Sequence, residues 1–126
     1  MSECTVLLVA PESAVRGQPV AIAVVMENPS DKPLDLHLQG REIVFDVTVT
    51  ADDGHLVWQR DNGVTQAILR LETLAPGASI RLEEVWDQTD LSGQPVEAGL
   101  YTIHGTVPTD SEPLHTGDHQ IDIRKS

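Results

Sequence analysis

Five histidines, one cysteine and two carboxylate-rich loops are the residues whose types could support metal binding or catalysis in this chain of 126 residues. The histidines are His37, His55, His104, His115 and His119, and the cysteine is Cys4. A structural zinc site needs four such ligands brought together. Cys4 stands alone, and His115 and His119 would lie close enough to bind one metal ion only on a helix, which their turn-and-strand segment does not indicate. The sequence therefore predicts no metal site and no cofactor site.

The carboxylate-rich loops are Asp52-Asp53-Gly54 and Asp87-Gln88-Thr89-Asp90. Calcium is held by several oxygens from such loops, but the ligand spacing of a dedicated calcium loop is missing. Ordinary turn chemistry is the preferred interpretation. The serines lie in no recognisable setting for a nucleophile with its base and orienting acid. The sequence therefore predicts a protein that is not an enzyme, with no catalytic residues.

Charge and composition exclude several classes of partner. The net charge is −12, from 20 acidic residues against 8 Lys and Arg, and phosphate contacts need cationic side chains, so nucleic-acid binding is not expected. No apolar run approaches the roughly 20 residues of a membrane-spanning helix. A lone cysteine forms no internal disulfide, and no apolar export signal precedes Cys4. A cytoplasmic protein is predicted, or an exported domain if a native N-terminal segment has been removed.

The elements that must position these residues are strands, because alternation at period two recurs between turn signals and the helical period is nearly absent. Strands are predicted at residues 5–10, 20–27, 34–39, 43–50, 55–60, 64–71, 80–86, 101–107 and 121–123. Both faces of residues 20–27 are apolar, which is typical of a central strand. The expected fold is all-β, an immunoglobulin-like antiparallel β-sandwich of about 8–9 strands, forming a single domain over residues 1–126.

Two segments depart from this pattern. Residues 64–71 have apolar residues at helical spacing, but the segment is too short for a stable isolated helix, so a strand is predicted. In residues 80–86, Glu84 falls on the same face as Trp86. Either Glu84 points inward at the edge of the sandwich, or a β-bulge turns Val85 inward instead. The bulge is preferred because an unpaired buried carboxylate costs several kcal/mol.

The few aromatic side chains, 3% of the chain, are predicted to fill an otherwise aliphatic core. Trp58 and Trp86 could stack on sugars, but they lie on strands that otherwise face the core and are therefore assigned to it. Tyr101, which follows Gly99 closely, is predicted to be the corner tyrosine of an immunoglobulin-like sandwich, with its hydroxyl bonded to nearby backbone.

The order and spacing of these landmarks resemble the BsuPI family, the intracellular proteinase inhibitors of bacteria. The matching pieces are Val24-Val25-Met26-Glu27-Asn28, Phe45-Asp46-Val47, Asp53-Gly54, Val57-Trp58-Gln59-Arg60, Gly63-Val64-Thr65-Gln66-Ala67, Leu74-Ala75-Pro76-Gly77, Trp86-Asp87, Gly99-Leu100-Tyr101 and Gly105. The chain departs from the family at Val64, where an aromatic residue is common. Turn glycines and core aromatics dominate the match, so it supports the fold more strongly than the activity.

The resemblance implies a non-catalytic protein, a reversible inhibitor or regulator of an intracellular subtilisin-like serine protease. Such an inhibitor presents a loop of fixed shape to the protease cleft, since rigidity limits the ordering cost of binding. The hypothesis for that loop is the stretch of Asp90, Leu91, Ser92, Gly93, Gln94 and Pro95. This stretch is polar, is tipped by one apolar residue and is anchored by strands at both ends.

A second interpretation is a non-inhibitory immunoglobulin-like interaction or adhesion module, including an envelope-associated one. It would use the polar face that carries His37, Gln39, Thr48 and Thr50, or an exposed edge strand. A third is sugar binding through an exposed Trp58. The sequence carries no signal for the oligomeric state.

Overall fold

The computed structural model describes residues 4–39, 45–60, 69–107 and 113–125, and in these ranges the chain is built from β-strands. The strands are Thr5–Val9 (β1), Ser13–Val15 (β2), Val20–Glu27 (β3), Leu34–Gln39 (β4), Asp46–Ala51 (β5), Leu56–Gln59 (β6), Leu69–Leu74 (β7), Ser79–Trp86 (β8), Gly99–Val107 (β9), Leu114–His115 (β10) and His119–Arg124 (β11). The predicted all-β fold is confirmed. β2 and β10 are the two that the sequence pattern did not indicate, because each is too short to alternate.

The strands form two larger sheets and a ribbon. The first sheet has the order β1-β3-β8, and the second has the order β2-β11-β9-β5-β6, with β10 also paired to β9. The ribbon consists of β4 and β7. The pairings are antiparallel except that of β2 with β11, which is parallel. β3 is the central strand of the first sheet, as its apolar residues on both faces predicted.

One hydrophobic cluster joins the inner faces of both sheets and the ribbon. Its buried members include Val20, Ile22, Val24 and Met26 of β3, Trp86 of β8, Val47 and Val49 of β5, Ile103 of β9, Ile121 and Ile123 of β11, and Leu36 and Leu74 of the ribbon. These residues recur at every second position because successive strand side chains point to opposite faces. The alternation read from the sequence therefore places a shared aliphatic core between the sheets. That residues 1–126 form a single domain stays a prediction.

The tight turn of the β5–β6 hairpin is Asp52-Asp53-Gly54, as predicted. Gly54 has φ of +90°, and its amide donates to the Ala51 carbonyl over 2.9 Å. Glycine adopts this left-handed conformation without steric cost. The pairing of the same hairpin shifts in register between Val49 and Thr50.

The predicted bulge at Glu84 is wrong. β8 pairs with β3 in unbroken register, which leaves Val85 54% exposed on the outer face and turns Glu84 inward. The Glu84 carboxylate is paired there, because Nε of Arg60 lies 2.8 Å from it. The Arg60 guanidinium also lies 4.0 Å from the centre of the Phe45 ring and donates to the Phe45 carbonyl over 2.8 Å. An arginine from the opposite sheet thus removes the cost that favoured the bulge.

The predicted strand at residues 64–71 lies largely outside the described residues. β7 begins at Leu69, and it continues past the predicted end to Leu74. Residues 43 and 44 of another predicted strand also lie outside, and the described part of that strand is β5.

Candidate functional site

The predicted partner-binding stretch, residues 90–95, forms a closed loop in the connection between β8 and β9. Thr89 and Pro95 form an antiparallel bridge at its base. The Asp90 amide donates to the Gln94 carbonyl over 2.8 Å, and the Val96 amide donates to the Gln88 carbonyl over 2.9 Å. The backbone therefore leaves the core, turns and returns within a narrow neck. We call residues 90–95 the β8–β9 loop.

The carboxylate of Asp90 fixes the turn at the tip of the β8–β9 loop. Its Oδ1 accepts hydrogen bonds from the Ser92 hydroxyl at 2.7 Å, the Ser92 amide at 2.9 Å and the Gln94 amide at 3.0 Å. The hydrogen bond from the Ser92 hydroxyl, and then that from the Gln94 amide, lower the pKa of Asp90 below its ordinary value of 3.8. Asp90 therefore stays ionised at neutral pH, and the loop is held by its own polar contacts.

Leu91 stands at the tip of the β8–β9 loop with 63% of its surface exposed, more than any other large apolar side chain in the described ranges. Beside it lies an open groove of about 620 Å³. The apolar part of its lining consists of Ala51, Leu56, Val57, Leu91, Pro95, Val96 and Tyr101, and its polar part of His55, Asp90, Ser92 and Glu97. The loop thus presents one apolar side chain next to a groove with an acidic rim.

Gln88 anchors the neck of this loop to the β2–β3 connection. The residue is 1% exposed and has φ of +62°. Its Nε2 donates to the carbonyls of Val15 and Gln18 over 2.9 and 2.7 Å, and its Oε1 accepts from the Gly17 amide over 3.1 Å. The sequence did not indicate this role, because no local pattern distinguishes a buried glutamine from an exposed one in a polar stretch.

Aromatic residues support the loop from below. Trp86 is fully buried, and its indole Nε1 donates to the Thr89 carbonyl over 3.0 Å. The Trp86 ring meets Tyr101 edge-on at 5.8 Å between centroids, and the half-buried Trp58 lies 6.4 Å from Trp86. Both tryptophans pack into the core as predicted, so Trp58 offers no bare platform for a sugar.

Tyr101 is the predicted corner tyrosine. Its hydroxyl donates to the Glu97 carbonyl over 2.6 Å, which ties the start of β9 to the end of the connection from β8. Burial, and secondly the negative charge of Glu97, raise the pKa of this phenol above its ordinary value of 10.0.

The raised pKa of Tyr101 predicts a loss of stability in alkaline solution. Below pH 10 the phenol is neutral in both states, so its stabilising contribution is complete. As the pH rises above 10, the unfolded chain ionises first, and the contribution is lost as the pH rises through the raised value. Tyr101 is the only tyrosine. We therefore expect the free energy of unfolding, measured with urea between pH 9 and 11, to fall less steeply with pH in Tyr101→Phe than in the wild type. Parallel curves for the two proteins would contradict the assignment.

The histidines that meet in the structure are not the pair that is close in sequence, His115 and His119. His115 contacts His104, whereas His119 lies 2.9 Å from the Pro11 carbonyl through its Nε2. His55 contacts Asp53 in the β5–β6 hairpin. Within the described residues, no group of three or more His, Cys, Asp or Glu side chains is arranged to hold a metal ion.

The remaining candidates are structural or fall outside the described residues. Asp53 accepts from the His55 amide over 3.1 Å, and Asp87 accepts from the Thr89 hydroxyl over 2.5 Å, as expected of turn carboxylates. Cys4 is a half-buried free thiol that packs against the core, and burial raises its pKa. Of the polar face proposed for partner binding, Thr48 and Thr50 are half-buried on β5. The side chains of His37 and Gln39 lie outside the described residues.

Comparison with protein families identifies the relationship that these features indicate. The model of the BsuPI family, described as intracellular proteinase inhibitor, matches residues 7–112. The chain belongs to this family. The matched range contains β3, the β5–β6 hairpin, the β8–β9 loop and Tyr101, so the resemblance read from the sequence is confirmed. The family's description names proteinase inhibition in general and an intracellular setting. Such a description implies a non-catalytic role and a proteinase as the partner.

Solved structures agree on the architecture of this BsuPI domain. The CARDB domain of the PF1109 protein from Pyrococcus furiosus, solved with di-metal ions, is 15% identical with a TM-score of 0.52, covering 99% of this chain and 96% of that one. Sporulation control protein Spo0M from Bacillus subtilis is 12% identical with a TM-score of 0.57, covering 96% and 49%. The DNA glycosylase AlkC from Pseudomonas fluorescens is 16% identical with a TM-score of 0.50, covering 98% and 30%. At such identities the likeness shows the fold alone.

No match was found among curated protein sequences. Within the ranges that the structure describes, no helix has the length and apolarity to cross a membrane.

Proposed function

We propose that this BsuPI domain is a reversible inhibitor of an intracellular subtilisin-like serine protease, and that the β8–β9 loop enters the protease cleft. The observation that supports the proposal is Leu91, which is 63% exposed at the tip of a loop whose neck is closed by backbone hydrogen bonds. An apolar side chain in that position is available to an apolar pocket of a protease.

The loop is suited to this role because little of its freedom remains to be lost on binding. Asp90 accepts three hydrogen bonds from inside the loop, and Gln88 fastens the neck to the β2–β3 connection. Restricting a loop to its bound conformation before it binds reduces the entropic cost of association. A fixed loop also resists the extension that a scissile bond needs in a protease cleft.

The charge of the domain adds to the rate of encounter. Asp90 and Glu97 line the groove beside Leu91, and the chain carries a net charge of −12. Such a field speeds association with a partner whose approaching surface is basic, and salt screens the effect. We therefore expect the association rate to fall with ionic strength, with a weaker effect on dissociation.

Replacing Leu91 with aspartate tests the loop. We expect Leu91→Asp to raise the inhibition constant against a subtilisin-like protease by about tenfold or more, because an apolar contact is lost and a charge is desolvated. The control is Leu7→Asp, which changes an exposed leucine on β1 of the first sheet. Equal inhibition by Leu91→Asp and the wild type would rule the loop out.

A specific observation favours a second candidate, a non-inhibitory interaction module. Leu7 and Val9, each 45% exposed, lie on β1 at the edge of the first sheet. An edge strand with exposed apolar residues can accept a strand from a partner. Under this hypothesis the two variants exchange roles: Leu7→Asp abolishes partner binding, Leu91→Asp does not, and subtilisin-like proteases are not inhibited.

A further inference from the structure

Two imidazole rings meet on the outer face of the second sheet, away from the β8–β9 loop. His104 lies on β9 between the inward-facing Ile103 and Gly105, and His115 lies on β10, which pairs with β9. Nε2 of His104 is 3.0 Å from Nδ1 of His115, and the ring centroids are 5.2 Å apart. Two nitrogens at this distance hold one proton between them, since two facing lone pairs would repel each other.

Asp118 determines which nitrogen of His104 is available. Its Oδ1 lies 2.8 Å from Nδ1 of His104, so the Nδ1 proton is donated to the carboxylate and the lone pair resides on Nε2. A carboxylate behind an imidazole is the usual arrangement of metal-binding histidines, because it fixes the tautomer and raises the basicity of the ligand. The His104 side chain is 30% exposed and that of Asp118 is 70% exposed, so water can reach the pair.

We propose that Nε2 of His104 and Nδ1 of His115 bind a divalent transition-metal ion, with water completing its coordination and Asp118 positioning His104. The ion replaces the proton that the two rings share. His115 then carries its proton on Nε2 instead of Nδ1, so each ring stays neutral and no net proton is taken up. The site has two protein ligands. It therefore differs from the groups of three or more candidate ligands, which are absent from the described residues.

The geometry also favours one class of ion. With metal–nitrogen bonds of about 2.0–2.1 Å, a nitrogen–nitrogen distance near 3.0 Å corresponds to an angle of about 95° at the metal. That angle fits the right angles of square-planar or octahedral sites, which Cu²⁺ and Ni²⁺ adopt, better than the wider angle of tetrahedral zinc. For both lone pairs to point at one ion, each ring must turn by tens of degrees, which brings the centroids closer than 5.2 Å.

The competing explanation is that any cation collects on so acidic a surface, given the net charge of −12. Carboxylates bind Mg²⁺ through oxygen, whereas imidazole pairs favour the later transition metals. Excess Mg²⁺ therefore occupies the diffuse acidic surface and leaves the histidine pair free. Ni²⁺ is the suitable probe, because it is not reduced by the Cys4 thiol.

The test is a calorimetric titration of the untagged protein with Ni²⁺ in excess Mg²⁺. We expect one ion per chain, with an affinity that falls by about tenfold or more in His104→Gln and His115→Asn, and by about tenfold in Asp118→Asn. His55→Gln is the matched control, since His55 has a carboxylate partner in Asp53 but, among the side chains that the structure describes, no imidazole partner. The expected NMR signature is broadening of the His104 and His115 ring signals before those of His55.

The replaced side chains are all at least partly exposed, so the variants are expected to fold. The thermal unfolding of each variant is compared with that of the wild type before titration. Wild-type affinity in His115→Asn, or an equal loss in His55→Gln, would overturn the proposal, as would the absence of Ni²⁺ binding in excess Mg²⁺. Inhibition of a protease is not part of the readout, so these outcomes are independent of the proposed function.

Discussion

Replacement of Gln88 with alanine is expected to lower the free energy of unfolding by about 3 kcal/mol or more. The side chain bonds to three backbone groups, the carbonyls of Val15 and Gln18 and the amide of Gly17, and it is 1% exposed. Truncation removes all three hydrogen bonds; the Val15 carbonyl keeps the one from the Gln18 amide at 3.1 Å, whereas the Gly17 amide and the Gln18 carbonyl lose the Gln88 side chain as their partner. An intramolecular hydrogen bond contributes about 0.5–1.5 kcal/mol to stability, so the loss of three accounts for the expected effect.

Two controls separate the hydrogen bonds from the backbone conformation of Gln88. Its φ of +62° lies in the left-handed region, which costs a non-glycine residue about 1 kcal/mol, so Gln88→Gly should be less damaging than Gln88→Ala by that amount. Gln94→Ala removes the same type of side chain from an exposed position in the same connection, and we expect a change within about 0.5 kcal/mol.

Urea unfolding followed by tryptophan fluorescence measures all three variants. A Gln88→Ala variant as stable as Gln94→Ala would mean that the buried amide does not hold the neck of the β8–β9 loop. If Gln88 does fix the neck, Gln88→Ala should also weaken protease inhibition at temperatures where the domain remains folded, because the loop then orders only on binding.

The strands and their inner faces could be predicted from the sequence because both follow from local alternation. In β3 the apolar pattern of the residues indicates both the strand and the burial of its side chains. The hairpin at Gly54 was likewise local, since its conformation is decided by neighbouring residues. Tyr101 could be assigned from its position after Gly99, and its partner, the Glu97 carbonyl, is also local, four residues away.

The errors and omissions share a different cause, namely that the decisive partner is distant in sequence. Glu84 faces inward because Arg60 lies within reach, and no pattern near Glu84 announces that arginine. Gln88 is buried because carbonyls about 70 residues earlier lie at its side chain. His104 and His115 meet through the register of β10 on β9, which period-two alternation leaves undetermined.

A methyl group added at Gly105 is expected to lower the free energy of unfolding by about 2 kcal/mol or more. A Cβ there would lie 2.8 Å from Cγ2 of Val24, 3.0 Å from Cγ2 of Thr116 and 3.4 Å from Cδ1 of Leu8. Val24 is fully buried at the centre of the first sheet, so it cannot withdraw into solvent. The two sheets must move apart, or the Val24 side chain must rotate.

A double-mutant cycle decides whether this contact is the cause. Val24→Ala alone destabilises by creating a cavity, but in Gly105→Ala the same change makes room for the new methyl group. The double variant should therefore lose less unfolding free energy than the two single variants lose together, with a coupling energy of about 1 kcal/mol or more. Gly117→Ala is the control, because a Cβ at Gly117 would have no neighbour within 4 Å. Strict additivity would show that the contact with Val24 is not what excludes a side chain at Gly105.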